Sequence, residues 1–337
     1  MRILGFCVIA LPAMAVTSCS LERDQWDPDK LARGMSVAAD EKLARGRASY
    51  TMYCSGCHGA EGDGEGPAAK FLSPKPRDLR KGKVKFASVA AGEMPTDADL
   101  ARTITKGLHG TSMPAWNLLP KDEVDDVVAY IKTFTPNRKA PGATIAIPAD
   151  PWVKSPEKGV AEGEKLYHGL AACGSCHASY VTKVKVAEYM KAYDMPTSGF
   201  RENMYDGDTK DSEWGQPITP PDFLRDYIKS GTDKNDLVRV IATGVGGTAM
   251  PSWGATLNAK QLWGLAYYVE SLAKMRGTKQ AQEMRKSFLE QPAFTPPPPP
   301  PPAPPPEPTS DPSAAPTADP SAAPTGAPTA KPTASPK

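Results

Sequence analysis

The 337-residue chain has little histidine and little net charge. It carries four histidines and a formal net charge of +2. A balance so near neutral offers no basic stripe to neutralise phosphates. Its tryptophans and tyrosines are not interleaved with lysine or arginine, so nucleic acid is excluded as a partner. The apolar run from Ile3 to Val16 falls short of the roughly 20 residues that cross a bilayer. Coming just after Arg2, it reads as an export leader.

The leader ends in Val16-Thr17-Ser18-Cys19, which resembles the cleavage box of bacterial lipoproteins. The resemblance implies a signal peptide over 1–18 and a lipid-modified Cys19 as the first mature residue. Two positions depart from the usual pattern, with Val in place of Leu and Ser in place of Gly or Ala. A rival cut after Ala13-Met14-Ala15 would release a soluble protein. A single acyl chain binds only marginally, so firm attachment needs the several chains of a lipoprotein. Residues 19–39 would then be the tether. At the other end, 19 of the 37 prolines lie from Pro292 onward, and from Pro308 to Pro336 one falls on every fourth residue. A four-residue repeat without large side chains cannot bury a core. Residues 295–337 are therefore expected to be a disordered Pro/Ala-rich tail, serving as spacer, docking strand or solubilising segment.

Apart from Cys7, inside the leader, and Cys19, four cysteines remain. They stand as Cys54-Ser-Gly-Cys57-His58 and Cys173-Gly-Ser-Cys176-His177. Cys-x-x-Cys-His is the attachment string of c-type haem. Two thiols add to the vinyl groups as thioethers, and the adjacent imidazole offers itself to the iron. A disulfide framework would suit an exported chain but leaves the histidines unexplained. A four-thiolate zinc site would need both pairs together in the fold. A thioredoxin-like site would sit beside a βαβ pattern, and no such pattern flanks either pair.

The chain also repeats itself. Gly46-Arg-Ala-Ser-Tyr50 precedes the first pair and Gly163-Glu-Lys-Leu-Tyr167 the second. Downstream, Pro76-Arg-Asp-Leu79 answers Pro221-Asp-Phe-Leu224, and Asp99 to Ile104 answers Asp236 to Ile241, each with apolar residues at helical spacing. The repeat then reaches Gly110-Thr-Ser-Met113-Pro-Ala-Trp116 and Gly247-Thr-Ala-Met250-Pro-Ser-Trp253. Both methionines stand 14 residues after the aspartate that opens the preceding helix.

On these motifs each half resembles a class I cytochrome c domain. The resemblance implies an all-α fold of two tandem domains, over 40–136 and 158–277, with two covalent haems c. It implies covalent attachment at Cys54, Cys57, Cys173 and Cys176. It implies proximal ligands at His58 and His177, and sixth ligands at Met113 and Met250. In Gly62-Asp-Gly-Glu-Gly66-Pro67 it implies that the Pro67 carbonyl orients His58. A thioether is a soft ligand suited to iron, and the proline after it stiffens the loop. Met94-Pro95 and Met195-Pro196 lack the Gly-Thr prefix and the following tryptophan, so they are expected to be packing residues. His109 is an alternative ligand, or a neighbour, near the first haem. His168 should end a helix, and Trp116 and Trp253 should pack near the haems.

The halves are unequal. His177 and Met250 are 73 residues apart, against 55 for His58 and Met113. In place of the glycine loop the second half carries the longer stretch 178–216, expected to be either a docking surface or a mobile flap. A linker over 137–157 and a charged helical extension over 278–294 complete the organisation.

The function implied is electron transfer in the bacterial cell envelope, by a respiratory carrier or a cytochrome subunit on the periplasmic face. The partners implied are a quinol-oxidising complex, a terminal oxidase or a periplasmic dehydrogenase. The competing reading is a dihaem peroxidase, or another haem enzyme with one open iron.

Overall fold

The computed structural model describes residues 28–197 and 200–294. The leader, Cys19, the first part of the tether and the Pro/Ala-rich tail lie outside the described residues. Within them the fold is all-α. The helices are α1 (Pro28–Tyr53), α2 (Ser55–His58), α3 (Asp97–Lys106), α4 (Lys121–Thr133), α5 (Pro156–His168), α6 (Lys183–Lys191), α7 (Lys234–Thr243), α8 (Ala259–Lys274) and α9 (Lys279–Leu289). Among the described residues the sheet content is one antiparallel pairing of Lys210–Asp211 with Pro217–Ile218, and no helix is long and apolar enough to cross a membrane.

Each half is built on one helix crossing, and a glycine makes each crossing possible. α1 packs on α4, and α5 on α8. A β-carbon on Gly46 would overlap the backbone carbonyl of Asp126, and one on Gly163 that of Gly264. The helices therefore meet backbone to backbone. Each of these glycines stands four residues before a fully buried tyrosine, Tyr50 or Tyr167.

The short helices α3 and α7 are started by side chains. Thr96 caps α3 and exchanges hydrogen bonds with Asp99 in a capping box. Asp233 caps α7 by accepting from the Asn235 amide. The buried Asp99 carboxylate also accepts from the Ser88 amide and hydroxyl and from Arg102, so it is satisfied within the first domain. Its repeat partner Asp236 pairs with Arg239 and reaches across to Lys106 at 2.9 Å.

Several boundaries differ from the sequence expectation. α1 begins at Pro28, so the tether is helical from that point. The linker is extended but docked. The Ile145 amide bonds the Ser88 carbonyl at 2.8 Å. The Trp152 indole donates to the Lys260 carbonyl, and Pro148 and Asp150 accept from Trp263 and Tyr267. The inserted stretch is not a surface flap: Tyr180, Val186, Met204 and Tyr205 are part of the second core. The extension is part of it too. α9 seats Phe288 against Tyr205, ring centroids 5.4 Å apart, and ties Arg285 to Asp222 at 2.8 Å.

Candidate haem sites

The attachment strings line two different cavities. Cys54, Cys57 and His58 line one of about 180 Å³ that also receives Met113, Trp116, Leu100 and Ile104. Cys173, Cys176 and His177 line one of about 540 Å³ that also receives Met250, Trp253, Leu237 and Ile241. The cysteine pairs are thus kept apart, which the four-thiolate zinc reading does not allow. Burial pushes the Cys54 thiol up to about 11 and the Cys173 thiol up to about 12. Thiols so far from thiolate are the reverse of a redox-active dithiol, whose reactivity needs a lowered pKa.

Each histidine is held in the tautomer a metal needs. His58 Nδ1 lies 3.0 Å from the Arg77 carbonyl oxygen, and His177 Nδ1 lies 3.3 Å from that of Pro221. A carbonyl only accepts, so Nδ1 carries the proton and Nε2 keeps its lone pair. Burial lowers the His58 pKa below the ordinary value and takes that of His177 down to about 4. Both rings are therefore neutral at pH 7. Phe223 stacks on His177 at 5.0 Å between centroids. The attachment turns are fixed by the buried tyrosines as well. Tyr50 Oη donates to the Gly59 carbonyl, and Tyr167 Oη to that of Ala178, each the residue after the histidine.

The two methionine loops share one hydrogen-bond pattern. In the first, the Leu108 amide bonds the Met113 carbonyl, Thr111 Oγ1 donates to the Leu108 carbonyl, and the Met113 amide donates to Thr111 Oγ1. In the second, Val245, Met250 and Thr248 make the same three bonds. Gly110 and Gly247 take φ of +69° and +67°, the left-handed region that favours glycine. The tryptophan closes each loop through its amide, Trp116 to the Ile104 carbonyl and Trp253 to that of Ile241. The Gly-Thr-x-Met-Pro-x-Trp pattern is the sequence of this turn.

The attachment turns are covered differently. In the first half the glycine loop folds back on the turn: Gly64 and Gly66 donate their amides to the carbonyls of His58 and Cys57. That explains a correction. Pro67 is exposed, because the loop is engaged with the turn's carbonyls and not with the imidazole; the acceptor for His58 is Arg77. In the second half the inserted stretch takes over. The Asp208 amide donates to the Cys176 carbonyl, and Arg201 Nη2 donates to the carbonyls of Gly174 and His177. Sequence reasoning found no role for Arg201, which carries no motif.

The remaining candidates fall elsewhere. His109 is exposed and lines neither cavity, and neither do Met94 and Met195. His168 closes α5, buried, with Nδ1 3.0 Å from the Glu164 carbonyl and Nε2 accepting from the Tyr180 amide. Three residues without a motif, Lys85, Phe86 and Lys229, line both cavities.

The donor set fits a c-type haem at each cavity: two thiols, a neutral imidazole with a free Nε2, and a thioether within largely apolar walls. The family model described as cytochrome c oxidase, cbb3-type, subunit III matches residues 41–131 and 158–269. The cbb3-type cytochrome c oxidase subunit CcoP of Azospirillum sp. (strain B510) is 25% identical over 271 residues, which is 77% of this chain and 69% of that protein. A chain of the reducing HAO-like protein complex of Kuenenia stuttgartiensis is 29% identical, with a TM-score of 0.55 over 68% of this chain and 95% of that one.

Proposed function

The chain belongs to the cytochrome c oxidase, cbb3-type, subunit III family, and from that premise we propose that it delivers electrons to a terminal oxidase as its dihaem subunit. As a dihaem c-type cytochrome, it binds two haems c covalently and serves haem-based electron transfer. Each attached haem supplies a one-electron couple.

Cys54 and Cys57 hold the first haem, and Cys173 and Cys176 the second. His58 and Met113 ligate one iron, His177 and Met250 the other. The observation that carries this reading is the common turn of the two methionine loops, each on the cavity of its own attachment string. His/Met ligation raises the potential and leaves no coordination position for a substrate. That favours a carrier over a peroxidase, which needs one open iron. Of the three partner classes implied by the sequence, the terminal oxidase gains support from the family and from the CcoP relative. The lipid anchor at Cys19 would hold the chain on the periplasmic face of the cell envelope, and the mass of the mature N-terminus tests it.

The central test is spectroscopic. Met113→Ala and Met250→Ala should each remove one low-spin haem signal and lower one midpoint by on the order of a few tenths of a volt, while Met94→Ala leaves both. In the unaltered protein neither haem should bind cyanide or CO. One haem that does so would overturn the carrier reading. Extraction in mild detergent should bring down a haem–copper oxidase. Recovery with a quinol-oxidising complex instead would reassign the partner and leave the ligands standing.

A further inference from the structure

The cations lining the two cavities fall into two groups. Lys75 pairs with Glu65 at 3.6 Å, and Lys210 with Asp208 at 2.7 Å. Arg77, Lys85 and Lys229 form no ion pair among the described residues. Arg77 lies over the Trp214 ring, 3.4 Å from its centroid. No carboxylate lines the first cavity, and Asp208, already paired, is the one acid on the second.

These three cations are half-buried, and Arg77 and Lys229 both stand close enough to repel Lys85. Burial, with the charges of Arg77 and Lys229, brings Lys85 down to about 8. Withdrawing charge from water without a partner is costly, so a cluster of this kind calls for anions. The two lysines are also fixed in place. The Gly246 amide donates to the Lys85 carbonyl at 2.9 Å, and the His109 amide donates to that of Lys229 at 3.2 Å. Gly246 and His109 each stand four residues before the methionine of their own loop. The wall carrying the cations is therefore built from both methionine loops and cannot shift without them.

A haem carries its two carboxylates, the propionates, at one edge. We propose that the propionate edges of both haems meet at this wall, with Arg77, Lys85 and Lys229 as their counter-charges and each lysine serving both haems. Phe86, which lines both cavities, then sits where the two edges approach. Electrons exchange between the haems inside the chain, and each lysine sets both potentials together. A positive charge favours the haem that has gained an electron, so losing the charge lowers the midpoint.

Potentiometric titration of the holoprotein tests this. Lys85→Gln and Lys229→Gln should each lower both midpoints, by roughly threefold to tenfold in each reduction equilibrium, about 30–60 mV for one electron. Lys85→Arg should restore both, and Lys75→Gln should move neither. A Lys85→Gln or Lys229→Gln protein with both haems low-spin and either midpoint unmoved would overturn the proposal. If Lys85→Gln does not retain both haems, Lys229→Gln decides by the same criterion. The proposal rests on the haem seats given under Proposed function. A wrong seat shows as haem retained after Cys→Ala exchange, whereas a wrong edge shows as an unmoved midpoint.

Discussion

The first domain builds its protein core from Leu100, Ile104, Val124, Val127 and Val128. The second has Tyr167, Tyr180, Met204, Tyr205, Phe223, Tyr268 and Phe288 in one continuous cluster, to which the insertion and α9 both contribute. The linker adds Ile145, Ile147 and Trp152 to the same cluster. Yet the attachment turn, the imidazole tautomer and the methionine loop are built alike in both. What the chain repeats is the backbone around each Cys-x-x-Cys-His string and each Met-Pro pair. What it varies is how much apolar burial each domain has of its own. With apolar surface worth roughly 25 cal/mol per Å² buried, the second domain has more to hold it together without a cofactor.

The strongest challenge to that contrast is haem removal. Cys54→Ala with Cys57→Ala should cost the first domain its helices and expose it to protease, while Cys173→Ala with Cys176→Ala should leave the second domain largely folded. Far-UV circular dichroism with limited proteolysis decides. Equal loss of helix in the two variants would break the comparison.

A second difference is titratable. Burial holds the His168 pKa down to about 4, and the repeat position in the first half is the exposed Thr51. The unfolded chain binds that proton near pH 6.5 and the folded domain does not. Stability conferred by the neutral ring is thus complete above about pH 6.5 and is lost as pH falls from there toward 4. The loss approaches about 3 kcal/mol. Acid melting should affect the second domain in this window, and His168→Gln should flatten the dependence.

Two smaller tests sharpen what the halves share. Gly46→Ala and Gly163→Ala each force a β-carbon into the facing helix backbone and should destabilise their own domains alike, by about 1–3 kcal/mol, read from urea melts. Lys106→Met removes the cross-domain partner of Asp236. Because Lys106 is half in solvent, the cost should stay below about 1 kcal/mol, and both midpoints should hold.

The two Cys-x-x-Cys-His strings stand out in the sequence because thioether attachment demands a fixed order: cysteine, two spacers, cysteine, histidine. The methionine loops were legible because one turn imposes one residue pattern twice. The acceptor for His58 was not. Pro67 is near in sequence, but its loop turns onto the attachment backbone, and Arg77 arrives from further along the chain. The repeat also misleads by one position here, since His177 bonds the carbonyl of Pro221 and His58 that of Arg77, whereas the motif aligns Pro221 with Pro76. The insertion hid its role because Arg201 and Asp208 act through a guanidinium and a backbone amide on carbonyls, which no spacing rule records. Lys85 and Lys229 are ordinary lysines until the fold sets them on a common wall.

The exchange of amides between the loops, Gly246 to Lys85 and His109 to Lys229, has the form i to j and j to i. That is the signature of an isologous interface, the kind two identical subunits make around a two-fold axis. The chain thus carries the geometry of a homodimer within one polypeptide. Around these two bonds the seam adds the Ala91 amide on Ser252 Oγ, Arg77 over the Trp214 ring, and the ion pairs Lys83–Glu213 and Lys106–Asp236. Joined by residues 137–157, the domains meet at an effective concentration in the millimolar range, so their pairing is independent of how dilute the protein becomes.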